Sequence, residues 1–84
     1  MDCRIDVMHR AQGRLVRVAG RLTDAQVPDL LKVCDSGESV CLDLSELDSA
    51  SRVAVETLRR LLRSGVQIEG ATRFIQLLIE AGRE

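Results

Sequence analysis

Apolar and polar positions alternate at the start of the chain. Cys3, Ile5 and Val7 interleave with Arg4, Asp6 and Met8, a period of two that predicts a half-buried strand. Residues 10–13 read as a turn in which Gly13 can supply a positive φ, and residues 15–19 as a second strand a hairpin's length away. Gly20 breaks that pattern, and a helical period begins at Thr23. Thr23 and Gln26 have the spacing of a capping box, Asp24 adds negative charge at the positive end of the helix dipole, and Pro28 falls in the first turn, where a missing N–H matters least. Val27, Leu30, Leu31 and Cys34 form one apolar stripe, and Asp35, Ser36 and Gly37 end the element.

The next stretch organises the chain. Residues 40–44 are almost continuously apolar and predict a strand central in a sheet or covered on both faces. A polar turn rich in Ser and Asp follows. A second helix is expected from about Ser51 to Ser64, with Leu58, Leu61, Leu62 and Gly65 on one stripe and Gly65 as its C′ residue. Val66 and Ile68 predict a short strand. Gly70 breaks it, Thr72 can cap, and residues 73–81 predict a third helix. The order is β-β-α-β-α-β-α. It implies one small α/β domain over residues 1–84, with a mixed four-stranded sheet, about three helices and right-handed crossovers.

Composition narrows the function. A chain of 84 residues buries only roughly 60–65% of its unfolded surface, so its core is modest. The net charge of −1 argues against general nucleic-acid binding, and a single aromatic residue, Phe74, leaves no platform for stacking bases. No apolar run is long enough for a membrane span, and the first residues lack the pattern of a secretory signal. A cytoplasmic location is therefore expected. The three cysteines, Cys3, Cys34 and Cys41, are widely spaced and read as small buried hydrophobes in a reducing compartment. With one histidine, His9, far from any ligand-like pattern, no metal site is expected.

Asp43, Glu46 and Asp48 have no His or Lys nearby to complete acid–base chemistry, and no glycine-rich phosphate loop exists. The chain therefore reads as a non-enzyme without a cofactor. Two surfaces stand out. The loop and start of the second helix place Asp48, Ser49, Ser51, Arg52, Glu56 and Arg59 together, where a strand's carboxyl end meets a helix N-terminus. Ser51 is also the natural cap of that helix. Arg52, Arg59, Arg60 and Arg63 against Glu56 alone bias this helix toward an acidic partner, although such a run is usually a solvated face. The third helix is apolar around much of its circumference. Phe74, Leu78 and Ala81 make one row and Ile75, Ile79 and Gly82 another, so one row can meet the sheet while Phe74, Ile75, Leu78 and Ile79 are candidates for an apolar interface.

The ordered combination resembles a STAS domain, the fold of the bacterial anti-sigma factor antagonists. The matching pieces are Gly20-Arg21-Leu22-Thr23, Val40-x-Leu42-Asp43-Leu44-Ser45 and Gly65-Val66-x-Ile68-x-Gly70, which together span the chain. In that family the central loop usually ends in Asp-Ser-x-Gly, and phosphorylation of the Ser by a partner kinase releases the partner. A gapless reading from Asp43 puts Ser51 at the Asp position, Arg52 at the Ser position and Ala54 at the Gly position. In that register the usual phosphorylation switch is lost. A second register matches Asp48-Ser49-Ala50-Ser51 to the motif by shortening the loop, leaving Ser49 and Ser51 as alternative phosphoacceptors at a helix start. Longer members continue with another strand and helix, so here the fourth strand is expected to be an open sheet edge.

What the resemblance implies is a regulatory protein–protein interaction module whose partner is an anti-sigma-type kinase. The alternative is a constitutive subunit of a larger complex, on the model of the STAS subunits of bacterial lipid-transport ATPases. A homodimer and small-anion or nucleotide binding at the loop stay open.

Overall fold

A computed structural model describes residues 3–35 and 39–81. Strands β1 (Cys3–Arg10) and β2 (Gly13–Leu22) form the expected antiparallel hairpin, in unbroken register from Cys3 opposite Gly20 to Arg10 opposite Gly13. Gly13 has a φ of +139°, and a Cβ there would stand 2.2 Å from the Ser39 carbonyl oxygen. That carbonyl accepts a hydrogen bond from the Arg14 N–H, so the turn must run against it. Only glycine meets both demands.

Thr23 starts a 3-10 turn, Asp24–Gln26, which leads into α1 (Val27–Cys34). Gln26 Oε1 accepts from the backbone N–H of Thr23 at 3.0 Å, which is the reach-back half of the expected capping box. Val27 and Leu30 are buried, but Leu31 is exposed and Cys34 half-buried, so the stripe is narrower than the sequence period suggests. Asp35 ends the described part of this segment, and Ser36 and Gly37 lie outside the described residues.

Among the described residues the sheet has five strands, one more than the pattern predicts. β3 (Val40–Asp43) is followed by β4 (Leu47–Ala50) inside the stretch expected to be a polar turn. Both run parallel to β2: β3 beside Arg14 to Arg17, β4 beside Gly20 to Leu22. They share the β2 edge away from β1, and a turn at Ser45–Glu46 separates them. The Glu46 carbonyl in this turn still accepts from the Gly20 N–H at 3.0 Å. Leu47 supplies the only large apolar side chain of the short segment and is buried, which anchors β4 although its neighbours are polar.

α2 (Arg52–Arg63) runs between Ser51 and Ser64, as expected. Its C-terminus closes in a Schellman motif: the Val66 N–H reaches the Leu61 carbonyl at 3.0 Å and the Gly65 N–H reaches Leu62 at 3.2 Å, with Gly65 at φ +109°. Leu58 and Leu61 are buried, but Leu62 is exposed and lies off the core stripe. β5 (Gln67–Glu69) pairs in parallel with β3, and among the described residues no strand pairs with its other edge. α3 (Arg73–Ala81) begins at Thr72, whose hydroxyl accepts from the Ile75 N–H at 3.3 Å.

The core lies between the sheet and its helices. Val16, Val18 and Leu22 of β2 and Val40 and Leu42 of β3 meet Leu30 of α1, Leu58 of α2 and Ile75 of α3. These strand positions all project to one side, because side chains alternate along a strand. The central strand is therefore flanked on both edges, but among the described residues helices cover only one of its faces. The other face carries a charged row in register across four strands: Asp6, Arg17, Asp43 and Glu69. The cysteines are half-buried rather than buried, and burial pushes all three thiols up from their ordinary value.

Candidate functional site

The site predicted at the start of α2 is built around Ser51. Its N–H donates to the Leu22 carbonyl at 2.8 Å, which pins the residue beside the end of β2. Its Oγ accepts from the Ala54 N–H at 3.2 Å, as an N-cap should, and donates to Asp24 Oδ1 at 2.6 Å. The starts of the two helix-forming segments are therefore tied through one hydroxyl. Arg52 is the first residue of the helix and exposed, and Glu56 is exposed one turn on.

Ser49 is placed elsewhere. It is half-buried on β4, opposite Arg21, rather than at a helix start, because residues 47–50 are held by the β2 ladder. Asp48 is exposed on the same strand. The helix begins at Arg52, with Ser51 at the cap and Arg52 in the first turn.

Arg59 also departs from the expectation of a free partner-facing charge. Its Nε donates to the Ile79 carbonyl at 2.7 Å and its Nη2 to the Leu78 carbonyl at 3.0 Å. These are among the last carbonyls of α3, which have no partner within their helix, and a cation there also suits the dipole. Arg59 locks α3 onto α2. Among the arginines of α2, Arg52, Arg60 and Arg63 form the exposed basic set.

On α3 the apolar residues divide by helical phase. Ile75 is fully buried and belongs to the core, so it is removed from the candidate interface. Leu78 and Ile79 are half-buried at the margins. The exposed row is Phe74, 54% accessible, with Leu77, 52% accessible. Leu77 is not among the residues the sequence pattern assigns to the interface, although a rotation of about 100° per residue puts it opposite Ile75. Val53 in the first turn of α2, 46% accessible, is a further exposed apolar residue outside that set. Gly82 lies outside the described residues. Between α2, β5 and α3 runs a groove of about 470 Å³, bordered by Arg59, Leu62, Arg63, Ile68, Ile79 and Glu80.

The three loop carboxylates do not converge on one point. Asp43 is buried at the end of β3. Its Oδ1 accepts from the Ser45 N–H at 3.0 Å and its Oδ2 from Arg17 Nε at 3.2 Å. The Ser45 backbone bond is the main reason its carboxyl titrates below the ordinary carboxylate range, with Arg17 adding to the effect. Glu46 and Asp48 are exposed. Among the described residues, no three His, Cys, Asp or Glu side chains are grouped to hold a metal ion. No described helix is long and apolar enough to cross a membrane.

No protein-family model and no curated protein matches the chain. Solved structures do. An anti-sigma factor antagonist STAS domain from Rhodobacter sphaeroides is 21% identical, with 86% of this chain covering 94% of that one at a TM-score of 0.62. An uncharacterized protein with a SpoIIAA-like fold from Shewanella loihica is 19% identical, with 81% of this chain covering 63% of that one at a TM-score of 0.46. The chain thus has the fold of an anti-sigma factor antagonist STAS domain, as its motif order implies.

Proposed function

We propose that the protein is a regulatory protein–protein interaction module of the cytoplasm, working by binding rather than catalysis, as an antagonist of the anti-sigma type does. The observation that carries the reading is the α2 start. An exposed Arg52 stands in the first turn of a helix whose cap, Ser51, is fixed to both β2 and Asp24. A rigid, polar, charged feature at the carboxyl end of the central strands suits docking by an acidic partner surface. The docking face comprises Arg52 and Glu56. Replacing Arg52 by Glu is expected to weaken binding of the native partner without unfolding the domain, and unchanged affinity would remove this surface from the account.

One arrangement favours a constitutive partner over a phosphate-switched one. In the gapless register Arg52 takes the position that carries the phosphoacceptor in the resembling family, and the hydroxyl next to it, on Ser51, is already engaged by a cap amide and a carboxylate. A phosphate on Ser51 would face Asp24 at contact distance, and like charges so placed repel. In this second reading the protein is a permanent subunit of an assembly such as a lipid-transport ATPase. Intact-mass analysis of the protein purified with its partner distinguishes the two: a phosphorylated fraction lacking partner supports the switch, and an unmodified stoichiometric complex supports the subunit.

A further inference from the structure

The first strand has an edge that neither reading above uses. β1 pairs with β2 along its whole length, and among the described residues nothing pairs with its other edge. Natural sheets blunt such edges with prolines, bulges, inward-pointing charges or charged side chains on the edge strand. In β1 the register from Cys3 to Arg10 is unbroken, there is no proline, the charges, Arg4, Asp6 and Arg10, stand on the outer face with both signs present, and the core-side row is Cys3, Ile5 and Val7. That row packs against the core yet stays half-buried.

The hydrogen-bond phase says which backbone groups are free to pair. The N–H groups of Arg14 and Gly20 point to the β3–β4 side of β2. Even-numbered residues of β2 therefore face away from β1, and odd-numbered ones face it. Through the register, Arg4, Asp6, Met8 and Arg10 bond to β2, so Cys3, Ile5, Val7 and His9 direct their N–H and C=O groups outward.

We propose that the protein forms a two-fold dimer in which the β1 edges of two copies pair antiparallel, with Ile5 opposite Ile5 and Arg4 opposite Asp6. The registers open to such a pair must match outward-facing residues. Centring on Ile5 places Cys3 across from Val7 as bonded pairs. Arg4 then stands across from Asp6, twice by symmetry, at the non-bonded positions where opposed side chains come closest. Centring on Arg4 opposes two guanidinium groups, centring on Asp6 opposes two carboxylates, and centring on Val7 opposes Arg4 to Arg10, so each of these registers sets like charges together. Arg4 and Asp6 are exposed in the single chain and lie 3.6 Å apart within it, so both are free to exchange partners across the seam. The dimer joins the two sheets into one and continues the half-covered row of Cys3, Ile5 and Val7 with the same row of the second copy.

Sedimentation equilibrium on the purified full chain, over micromolar to millimolar concentrations, tests this with three proteins. The wild type is expected to reach twice its 9.3 kDa mass. Asp6→Arg is expected to weaken association by about 10-fold or more, since each seam pair becomes Arg against Arg. Arg4→Asp combined with Asp6→Arg restores opposite charges and is expected to recover the dimer. A wild type that stays monomeric throughout overturns the proposal, whether or not the edge accepts an extended peptide. So does a dimer insensitive to Asp6→Arg, or one that the double exchange fails to restore. As an independent readout, Ile5→Cys is expected to give a disulfide between the introduced thiols of the two copies on mild oxidation, because bonded antiparallel partners lie about 5.5 Å apart at Cα. A cross-linked peptide map without that pair also counts against the register.

Discussion

The Ser51 hydroxyl donates to the Asp24 carboxylate across 2.6 Å while accepting the cap bond of α2 from Ala54. One side chain thereby sets the start of α2 relative to the segment that opens α1. Both segments follow directly from β2 or its parallel partner β4, so the bond fixes the end of the sheet where docking is proposed.

Ser51→Ala removes both interactions and is expected to cost about 1–2 kcal/mol of stability. In a domain of this size that lowers Tm by about 4–15 °C, readable by circular dichroism. Asp24→Ala is expected to cost less, because the cap survives. A double-mutant cycle should show coupling of about 0.5–1.5 kcal/mol between the two positions, and additive effects would mean that the short contact contributes nothing.

Arg59 is the second joint. Its two bonds to the Leu78 and Ile79 carbonyls use the fork of a guanidinium, which lysine does not possess. Arg59→Lys is expected to destabilise the domain almost as much as Arg59→Met, by about 1–3 kcal/mol. Hydrogen exchange should locate the loss in α3. A lysine variant as stable as wild type would show that charge at the helix end suffices and the fork does not matter.

These joints also show where the sequence is informative. The hairpin, the second and third helices and their caps at Ser51 and Thr72 follow from local chemistry and stand where the pattern puts them, whereas the first helix starts only at Val27, after the 3-10 turn that Thr23 opens, and β2 runs on through Gly20. β4 is hidden because Leu47, Asp48, Ser49 and Ala50 have loop-like composition. Pairing with β2 and burial of Leu47, both long-range effects, make that segment a strand. Arg59 reads as a surface charge for the same reason, since its partners are main-chain carbonyls about twenty residues away that no side-chain pattern reveals. Helical phase does separate the apolar residues of α3, but which row meets the sheet is decided by the tertiary packing of Ile75.

Asp43 should give the domain a measurable acid sensitivity. Its carboxyl titrates lower in the folded chain than in the unfolded one, where an aspartate has a pKa of about 3.9. The ionised group therefore contributes stability that is fully present above that value and is lost as pH falls through the lower folded value. Urea unfolding of wild type and Asp43→Asn from pH 7 to pH 2 is expected to show a constant gap above about pH 5 that narrows below about pH 4. A gap independent of pH would mean that the Ser45 and Arg17 bonds do not favour the charged form.

Gly13→Ala is expected to be among the most damaging small substitutions. The added methyl would meet the Ser39 carbonyl at 2.2 Å, and the backbone angle of +139° is itself strained for alanine. A loss of at least about 1–3 kcal/mol is expected from the backbone alone. Gly65→Ala keeps a strained angle but meets nothing within 4 Å, so it should cost less. Equal thermal shifts for the two variants would mean that the contact with the Ser39 carbonyl adds no cost.

The most direct test of the proposed function is the affinity of the native partner, isolated with the tagged protein from its source cell, for wild type and Arg52→Glu. Isothermal titration calorimetry should give at least about a tenfold weaker Kd for the variant, about 1.4 kcal/mol, at unchanged Tm. An equal Kd for the two proteins would contradict docking at the start of α2.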